Sequence, residues 1–214
     1  MNAIASLTVT LAVLLSVLPA KADDADVVLL ARRTGTVEFQ HGAQAPWRGI
    51  IASRVLTQND NARTGDDSAA AINFTAGGRA FMDADALVQV NSGAPDGTRL
   101  TVMRGKVRVE LEHAKPGTYV FRTATSQMAV RGTDFAFYED AKRVEIGVYE
   151  GIVDATVGGE ETTIPTWHGV IYDKRTKTLT QLAVGAIHQD FTKLYTPGEF
   201  SRDRKAARDA GLIP

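Results

Sequence analysis

The sequence predicts an all-β fold, a compact stack of short antiparallel strands in a partly solenoid-like or sandwich arrangement. Two observations lead to this prediction. Between residues 99 and 154, four short segments alternate apolar and polar side chains, and Gly, Pro or Asp bounds each one. A period of two places the apolar side chains on one face of a sheet, and no stretch in this region has a helical period. Short strands therefore form the centre of the protein.

Composition limits the possible functions. The chain has 214 residues, with 24 Lys plus Arg, 25 Asp plus Glu and no Cys. This length suits one all-β domain whose core is large enough to fold without disulfides or a metal. The lack of cysteine excludes disulfides, thiolate metal sites and a cysteine nucleophile. The balanced charge argues against nucleic acid as a main partner, because duplex binding usually leaves a basic surface.

Residues 1–22 have the pattern of a secretory signal peptide. An apolar run from Ala3 to Leu18 precedes an Ala-x-Ala site that ends at Ala22. The run is shorter than the roughly 20 residues that span a bilayer. We therefore expect cleavage after Ala22, a periplasmic or extracellular location, and no membrane span in the mature protein. An uncleaved membrane anchor is the alternative, because the first two residues carry no Lys or Arg.

The remaining elements follow from apolar runs and turn residues. Gly77-Gly78 predicts a hairpin between strands 69–74 and 79–82, because glycine adopts the positive φ that tight hairpins need. Further strands are expected at 27–30, 35–39, 50–56, 84–90 and 178–184, with a break at 91–97. Residues 162–172 close the strand-rich region. The predicted β domain covers residues 23–185. Residues 186–214 form a C-terminal extension, a minor helix or a tail, with Thr196 as its helix N-cap.

A short pattern recurs three times along the chain. Gly-x-Val, followed by a charged and then an apolar residue, begins at Gly35, Gly105 and Gly151. One interpretation is an equivalent turn into a strand in successive layers. The other is coincidence in a β-rich composition, and the uneven spacing does not support a strict solenoid repeat.

Four segments resemble a known family. They are residues 62–74, Asn91-Ser92, residues 100–109, and the block from Phe121 to Val153 with Val-Arg-Gly-Thr at 130–133. On these residues, roughly positions 30–172 resemble the FecR family, periplasmic sensor domains named after the regulator of ferric citrate transport. The resemblance implies the fold of that sensor domain and a role in signalling.

Six residues match the family motif, and we interpret them as structural: Gly105, Arg131, Gly132, Thr133, Glu150 and Gly151. Glycine is expected where a turn enters a strand, because such turns need positive φ or close backbone approach. The Arg131 guanidinium suits loop carbonyls or a carboxylate such as Glu150 or Asp134. The Thr133 hydroxyl can bond to nearby backbone. The alternative is that Arg131 contacts a ligand or a partner.

No catalytic, cofactor or metal site is predicted. The four histidines (His41, His113, His168 and His188) lack metal-ligand spacing, and His168 is expected at the domain edge. Asp66 and Asp67 are adjacent, so on a strand they would point to opposite faces. Asp83 and Asp85 could share a face, yet Asp is common in turns.

Aromatic residues spaced by two are expected in the core rather than on a sugar-binding platform. They are Tyr119, Phe121, Phe135 and Phe137. The sequence therefore predicts an exported, non-enzymatic FecR-type envelope protein that binds a protein or glycan partner in signalling or assembly. Two alternatives stay open: a carbohydrate-active or polysaccharide-binding protein, and a membrane-anchored regulator of a sigma factor.

Overall fold

The computed structural model describes residues 28–74, 78–91, 98–111 and 119–184, and these are almost entirely β-structure. The strands are β1 Val28–Thr34, β2 Val37–Gln40, β3 Arg48–Gly49, β4 Ser53–Leu56, β5 Asn61–Thr64, β6 Ala69–Phe74, β7 Arg79–Met82, β8 Leu87–Val90, β9 Thr98–Glu110, β10 Tyr119–Arg122, β11 Ser126–Glu139, β12 Arg143–Val157, β13 Glu160–Pro165, β14 His168–Asp173 and β15 Thr178–Ala183. The all-β prediction is confirmed.

Two sequence predictions fall on residues outside this description. They are the signal peptide at 1–22 and the C-terminal helix or tail at 186–214. Within the described ranges, the structure has no helix of the length and apolar character that a bilayer crossing requires.

The strands form two layers that share three long strands. The first layer has the order β4-β1-β6-β7-β9-β11-β12-β14-β15. The second has the order β3-β2-β5-β8-β9-β10-β11-β12-β13. Strands β9, β11 and β12 begin in one layer and end in the other. Neighbouring strands are antiparallel except β9 and β10, which are parallel.

Glycines bend the three long strands. The first part of β9 pairs with β8, and the part from Gly105 onward pairs with β7 and β11. Gly105 has φ +91°, and Gly151, at the bend of β12, has φ +84°. The sequence predicted short strands, whereas β9, β11 and β12 have 13, 14 and 15 residues. They are longer because glycine at positive φ turns the backbone while the strand continues on both sides of the bend.

The chain passes between the layers along two opposite edges. In the first layer, Gly105 lies opposite Glu139, while Glu110, at the other end of β9, lies opposite Asp134. The bends at 132–133 and Gly151 therefore lie across the sandwich from the Gly105 bend. Gly35, with φ +65°, connects β1 of the first layer to β2 of the second. All three Gly-x-Val glycines thus mark crossings between layers, which favours a structural recurrence over coincidence.

Aromatic side chains join the two layers in the core. The Phe121 ring of β10 lies 5.4 Å from Phe135 and 6.3 Å from Phe137 of β11, between ring centroids. Phe74 of β6 lies 6.1 Å from Tyr119. All four predicted core aromatics are at most 1% exposed, so that prediction is confirmed. Burial of such large rings is the main stabilising contribution to a sandwich of this kind.

Local predictions had mixed outcomes. The hairpin of 69–74 and 79–82 is confirmed, with Ala71 opposite Phe81. The single strand predicted at 50–56 is wrong, because β3 ends at Gly49, β4 begins at Ser53, and the chain changes layer between them. The strand predicted at 84–90 is confined to β8, since Asp85 adopts φ +56° in the preceding turn.

Candidate functional site

Five of the six family-motif residues meet at one corner of the sandwich. Arg131 of β11 pairs with Ile152 of β12, and Asp134 pairs with Glu150, so Gly132 and Thr133 bulge between these pairs. Gly151 bends β12 beside this bulge. We call residues 131–134 together with 149–151 the motif corner. Gly105 is not part of it, because it lies at the opposite edge.

The two glycines of the motif corner have different constraints. A Cβ added to Gly151 would lie 2.9 Å from the Gly132 carbonyl oxygen and 2.7 Å from the Thr133 methyl carbon. A Cβ added to Gly132, at φ +53°, would meet nothing within 4 Å. At position 151, glycine is therefore required both by the backbone conformation and by close packing. At position 132 it is required by the backbone conformation alone.

Thr133 supports the corner through its backbone. Its carbonyl accepts a hydrogen bond from the Leu111 amide at 3.0 Å, which fixes the end of β9 to the bulge. Its side chain is 2% exposed, and its hydroxyl has no hydrogen-bond partner among the described residues. The expected bond from this hydroxyl to nearby backbone is therefore not seen there. The backbone of Arg131 belongs to β11, and its side chain lies outside the described part of the structure.

A buried ion pair connects β9 to the motif corner. The Arg108 Nε donates to Asp134 Oδ1 at 2.7 Å, and its Nη2 donates to the other carboxylate oxygen. Arg108 is fully buried, and its guanidinium lies 4.4 Å from the centroid of the Tyr149 ring. A bidentate guanidinium–carboxylate pair has fixed geometry, so Arg108 orients the residue that follows Thr133. Asp134 is thus bound by an arginine from a strand that the sequence did not connect with it.

Carboxylates stand in a row across the strands that meet at this corner. Glu110 lies opposite Asp134, which lies opposite Glu150. Like charges directly opposite one another are destabilising. The two arginines compensate, because Arg79 Nε lies 2.7 Å from a Glu110 oxygen while Arg108 holds Asp134. The arrangement therefore serves to hold strands together.

Trp167 closes the same edge of the sandwich. It occupies the turn between β13 and β14 with φ +63°, which is unusual for a bulky residue. Its amide donates to the Val148 carbonyl at 2.8 Å, and its carbonyl accepts from Val184 at 2.9 Å. Its ring stands perpendicular to Tyr149, with centroids 6.0 Å apart. The neighbouring His168 is exposed, at the domain edge as predicted.

The opposite edge, near Gly105, contains a second set of ion pairs. Lys174 Nζ donates to Glu139, which is 2% exposed. Asp140 Oδ1 accepts the amides of Lys142 and Arg143, each at 2.7 Å. Burial alone would raise the pKa of Asp140, but these amide hydrogen bonds outweigh burial and hold the pKa below its ordinary value.

The carboxylate pairs considered for catalysis are turn residues. Asp83 pairs with Lys106 Nζ at 3.0 Å, and Asp67 and Asp85 have positive φ. His41 Nδ1 lies 2.7 Å from Asp60, whose other oxygen accepts the Thr57 amide. Over the described ranges, no group of three or more His, Asp or Glu residues has the arrangement of a metal site.

Two surfaces outside the motif corner are candidates for binding. The first is an open groove of about 410 Å³ on the second layer, lined by Gln127, Ala129, Asp154, Ala155, Thr156, Glu161, Thr162 and Thr163. The second is the β1–β4 flank, defined by the exposed apolar residues Leu29, Ile51 and Val55, which are 36%, 89% and 54% exposed. Leu29 and Val55 are direct cross-strand neighbours.

The sequence did not identify Arg108, Tyr149, Trp167 or the flank. In the alternating pattern, Arg108 and Tyr149 occupy positions where solvent-facing residues are expected, and neither lies near Asp134 in the chain. No turn was predicted at Thr166-Trp167, where β13 ends and β14 begins. Side-chain pairs of this kind depend on strand order, which period-two patterns do not contain.

Comparisons with known proteins support the family resemblance. The family model described as FecR protein matches residues 60–154, which include the whole motif corner. The resemblance is therefore confirmed for this segment, which is shorter than the region of roughly 30–172 expected from the sequence. No curated protein matches the chain.

Two crystal structures of a candidate anti-sigma factor from Parabacteroides distasonis ATCC 8503 have a similar fold. Their TM-scores are 0.52 and 0.51, with 13% and 12% sequence identity. The matches cover 60% and 57% of this chain, and 60% and 59% of the two matched chains. At this identity the similarity shows the fold alone, over less than two thirds of those proteins.

Proposed function

Taking the FecR domain at residues 60–154 as the premise, we propose that this protein is exported, is not an enzyme, and binds another protein of the cell envelope in signalling or assembly. The observation that carries the proposal is the β1–β4 flank. Leu29 and Val55 expose apolar surface on neighbouring strands. Ile51, in the segment between β3 and β4, adds further exposed apolar surface. Grouped exposed apolar residues at a sheet edge are typical of protein-binding surfaces.

The charged residues in and next to the motif corner support a binding role over catalysis. Asp134 and Glu110 are bound to arginines. A general base must reach the proton that it removes, whereas these carboxylates are committed to holding strands. We accordingly propose that signalling uses the surface of the domain and that the motif corner supports the fold from within.

In-cell crosslinking tests the proposal. A photoreactive amino acid at Ile51, which is 89% exposed, should crosslink one envelope protein in intact cells. The same amino acid at Lys177, an exposed turn residue on the far side of the first layer, is the matched control. Equal crosslinking from both positions, or none from Ile51, would contradict the proposal.

Polysaccharide binding is the second candidate, and the groove on the second layer favours it. Side chains of Gln127, Asp154, Thr156 and Glu161 provide the hydrogen-bonding groups that sugar hydroxyls need. Affinity electrophoresis in gels containing cell-surface polysaccharide tests this candidate. Retardation that disappears in an Asp154→Ala, Glu161→Ala variant would support glycan binding, and unchanged mobility of the wild type would exclude it for that polysaccharide.

Regulation of a sigma factor from a membrane anchor is a third candidate, and it depends on the N-terminus. The anti-sigma description belongs to the matched structures and comes to this chain only as a proposal. N-terminal sequencing of the protein from cells distinguishes the candidates. A mature N-terminus at Asp23 supports export with cleavage, whereas an intact N-terminus favours the anchored regulator.

A further inference from the structure

The outer edge of β4 has backbone groups that no described strand satisfies. β4 is the last strand of the first layer and pairs with β1 alone. The Arg32 amide donates to the Ala52 carbonyl at 2.8 Å, and Leu30 lies opposite Arg54. Because orientation alternates along an antiparallel pair, the amides and carbonyls of Arg54 and Leu56 face β1. Those of Ser53 and Val55 consequently face away from the sheet.

The two faces of this edge have different chemistry. On the outer face, Val55 and Leu29 form an exposed apolar pair. On the inner face, Arg54 lies opposite the buried Leu30, and its guanidinium lies 4.3 Å from the Phe39 ring centroid. A strand added here would place alternate side chains beside Val55 and beside Arg54.

A second arginine borders the same opening between the layers. Arg48 of β3, the last strand of the second layer, lies directly opposite Phe39 of β2. Directly opposite residues point to the same face, and Phe39 points into the core. Arg48 and Arg54 therefore flank the opening from the two layers. Both are exposed, and neither has a carboxylate partner among the described residues.

The edge of the second layer formed by β13 is less suited to pairing. β13, the edge of the second layer, carries Glu160, Glu161 and Pro165. Charged residues and proline are the usual protection of an edge strand. β4 instead combines outward backbone groups with exposed Val55, and its nearby charges are positive.

From this geometry we infer that the outer edge of β4 binds an extended segment of a partner protein by strand addition, and that this segment alternates carboxylate with apolar side chains. The carboxylates face Arg54 and Arg48, the apolar side chains cover Val55 and Leu29, and backbone hydrogen bonds form with Ser53 and Val55. The inference rests on the proposed function, because it specifies where and how the protein partner binds.

A synthetic peptide provides the direct test. The probe is fluorescent Ser-Glu-Val-Glu-Val-Glu-Val-Ser, titrated with the purified mature protein and followed by anisotropy. Two control peptides have Lys in place of each Glu, or the same residues in an order without period two. We expect saturable binding of the probe alone. Absence of saturable binding, or equal binding of the controls, would overturn the inference.

Variants locate the binding edge. Arg54→Glu and Arg48→Glu should each weaken binding about tenfold through charge reversal, whereas Arg175→Glu, in an exposed turn, should leave it unchanged. Val55→Pro removes an outward amide without removing a β1–β4 hydrogen bond, and should also weaken binding about tenfold. Unchanged affinity in all three variants, Arg54→Glu, Arg48→Glu and Val55→Pro, would reject the β4 edge.

A covalent measurement covers the case in which Val55→Pro fails to fold. The chain has no cysteine, so Val55→Cys gives a single thiol. With oxidised glutathione as the two-electron oxidant, probe peptides with cysteine on the apolar face should form a disulfide with it, and peptides with cysteine on the carboxylate face should not. Equal trapping of both would contradict strand addition in the stated register.

The failures of the two proposals are distinguishable. A partner crosslinked at Ile51 whose capture persists in Arg54→Glu would leave the proposed function standing and reject the β4 edge. Peptide binding as expected, with no crosslinked partner in cells, would retain the edge and reject the function. A concentration-dependent dimer that Arg54→Glu dissociates would assign the edge to a second copy of this chain and overturn the inference.

Discussion

Arg108 of β9 forms a bidentate ion pair with Asp134 of the motif corner and is fully buried against the Tyr149 ring. Asp134 immediately follows the bulge of Gly132 and Thr133. The pair thus connects the centre of the first layer to the point where β11 changes layer.

Replacement of either Arg108 or Asp134 should strongly destabilise the fold. Arg108→Ala or Asp134→Ala breaks a bidentate ion pair whose arginine is fully buried, so we expect the free energy of unfolding to fall by about 3–5 kcal/mol. Urea denaturation measures this loss. The combined Arg108→Met, Asp134→Leu variant should lose much less, because both charges are removed.

The half-exposed pair of Arg63 and Glu38, 2.7 Å apart, is the control for burial. Alanine at either position should cost about 1 kcal/mol or less, because an exposed pair is solvated when broken. Equal losses at the two pairs would contradict the structural role of Arg108.

Alanine should affect the two corner glycines unequally. Both have positive φ, which costs an L-residue about 1–2 kcal/mol. Gly132→Ala should show this loss alone, because nothing lies within 4 Å of its added Cβ. Gly151→Ala should lose about 2 kcal/mol more, because its Cβ would overlap the Gly132 carbonyl and Thr133. Thermal unfolding of the two variants, with equal Tm as the contrary result, checks this ranking.

Asp140 should contribute to acid sensitivity. Its pKa in the folded protein is lowered, because amide hydrogen bonds from Arg143 and Lys142, with one from the Tyr138 hydroxyl, outweigh the effect of burial. A lowered pKa stabilises the fold above the unfolded value of about 3.9, and this stability is lost as pH falls through the folded pKa.

We therefore expect Asp140→Ala to be less stable than wild type at pH 7, with a difference that begins to shrink below about pH 4 and is lost as pH falls through the lowered folded pKa. The pKa of Asp173 is also lowered, chiefly by a hydrogen bond from the Thr176 amide, so Asp173→Ala should show a pH dependence in the same direction. Denaturation by urea between pH 2 and pH 7 measures the difference. A stability difference between wild type and Asp140→Ala that stays constant with pH would show that Asp140 stabilises the fold independently of its charge.

Glycine at two positions of similar φ should have opposite effects. Lys177 has φ +56° and is exposed, so Lys177→Gly relieves backbone strain and should stabilise by about 0.5 kcal/mol. Trp167 has φ +63° but packs against Tyr149, so Trp167→Gly should destabilise by about 1–2 kcal/mol. Chemical denaturation followed by circular dichroism measures both. A gain in stability at both positions would show that the Trp167 contact contributes little.

Local structure was predictable where it depends on nearby residues. The hairpin of β6 and β7 follows from two short apolar runs around Gly77-Gly78, and the burial of Phe121 and Phe135 follows from spacing by two. The break between Gly49 and Ser53 was missed, because residues 50–56 contain no glycine or proline to indicate it. The break is explained only by the tertiary structure, because β3 belongs to the second layer and β4 to the first.

The sequence by itself determined the β class, the side chains that enter the core and the glycines available for bends, because alternation and turn preference act over a few residues. The tertiary structure decided which strands become neighbours: that β9, β11 and β12 continue through their bends, that Arg108 meets Asp134, and that β4 is left as an edge with Arg54 and Val55 on its two faces. Strand order and register depend on burying two whole faces against each other, and this balance between distant segments is absent from any single stretch of the chain.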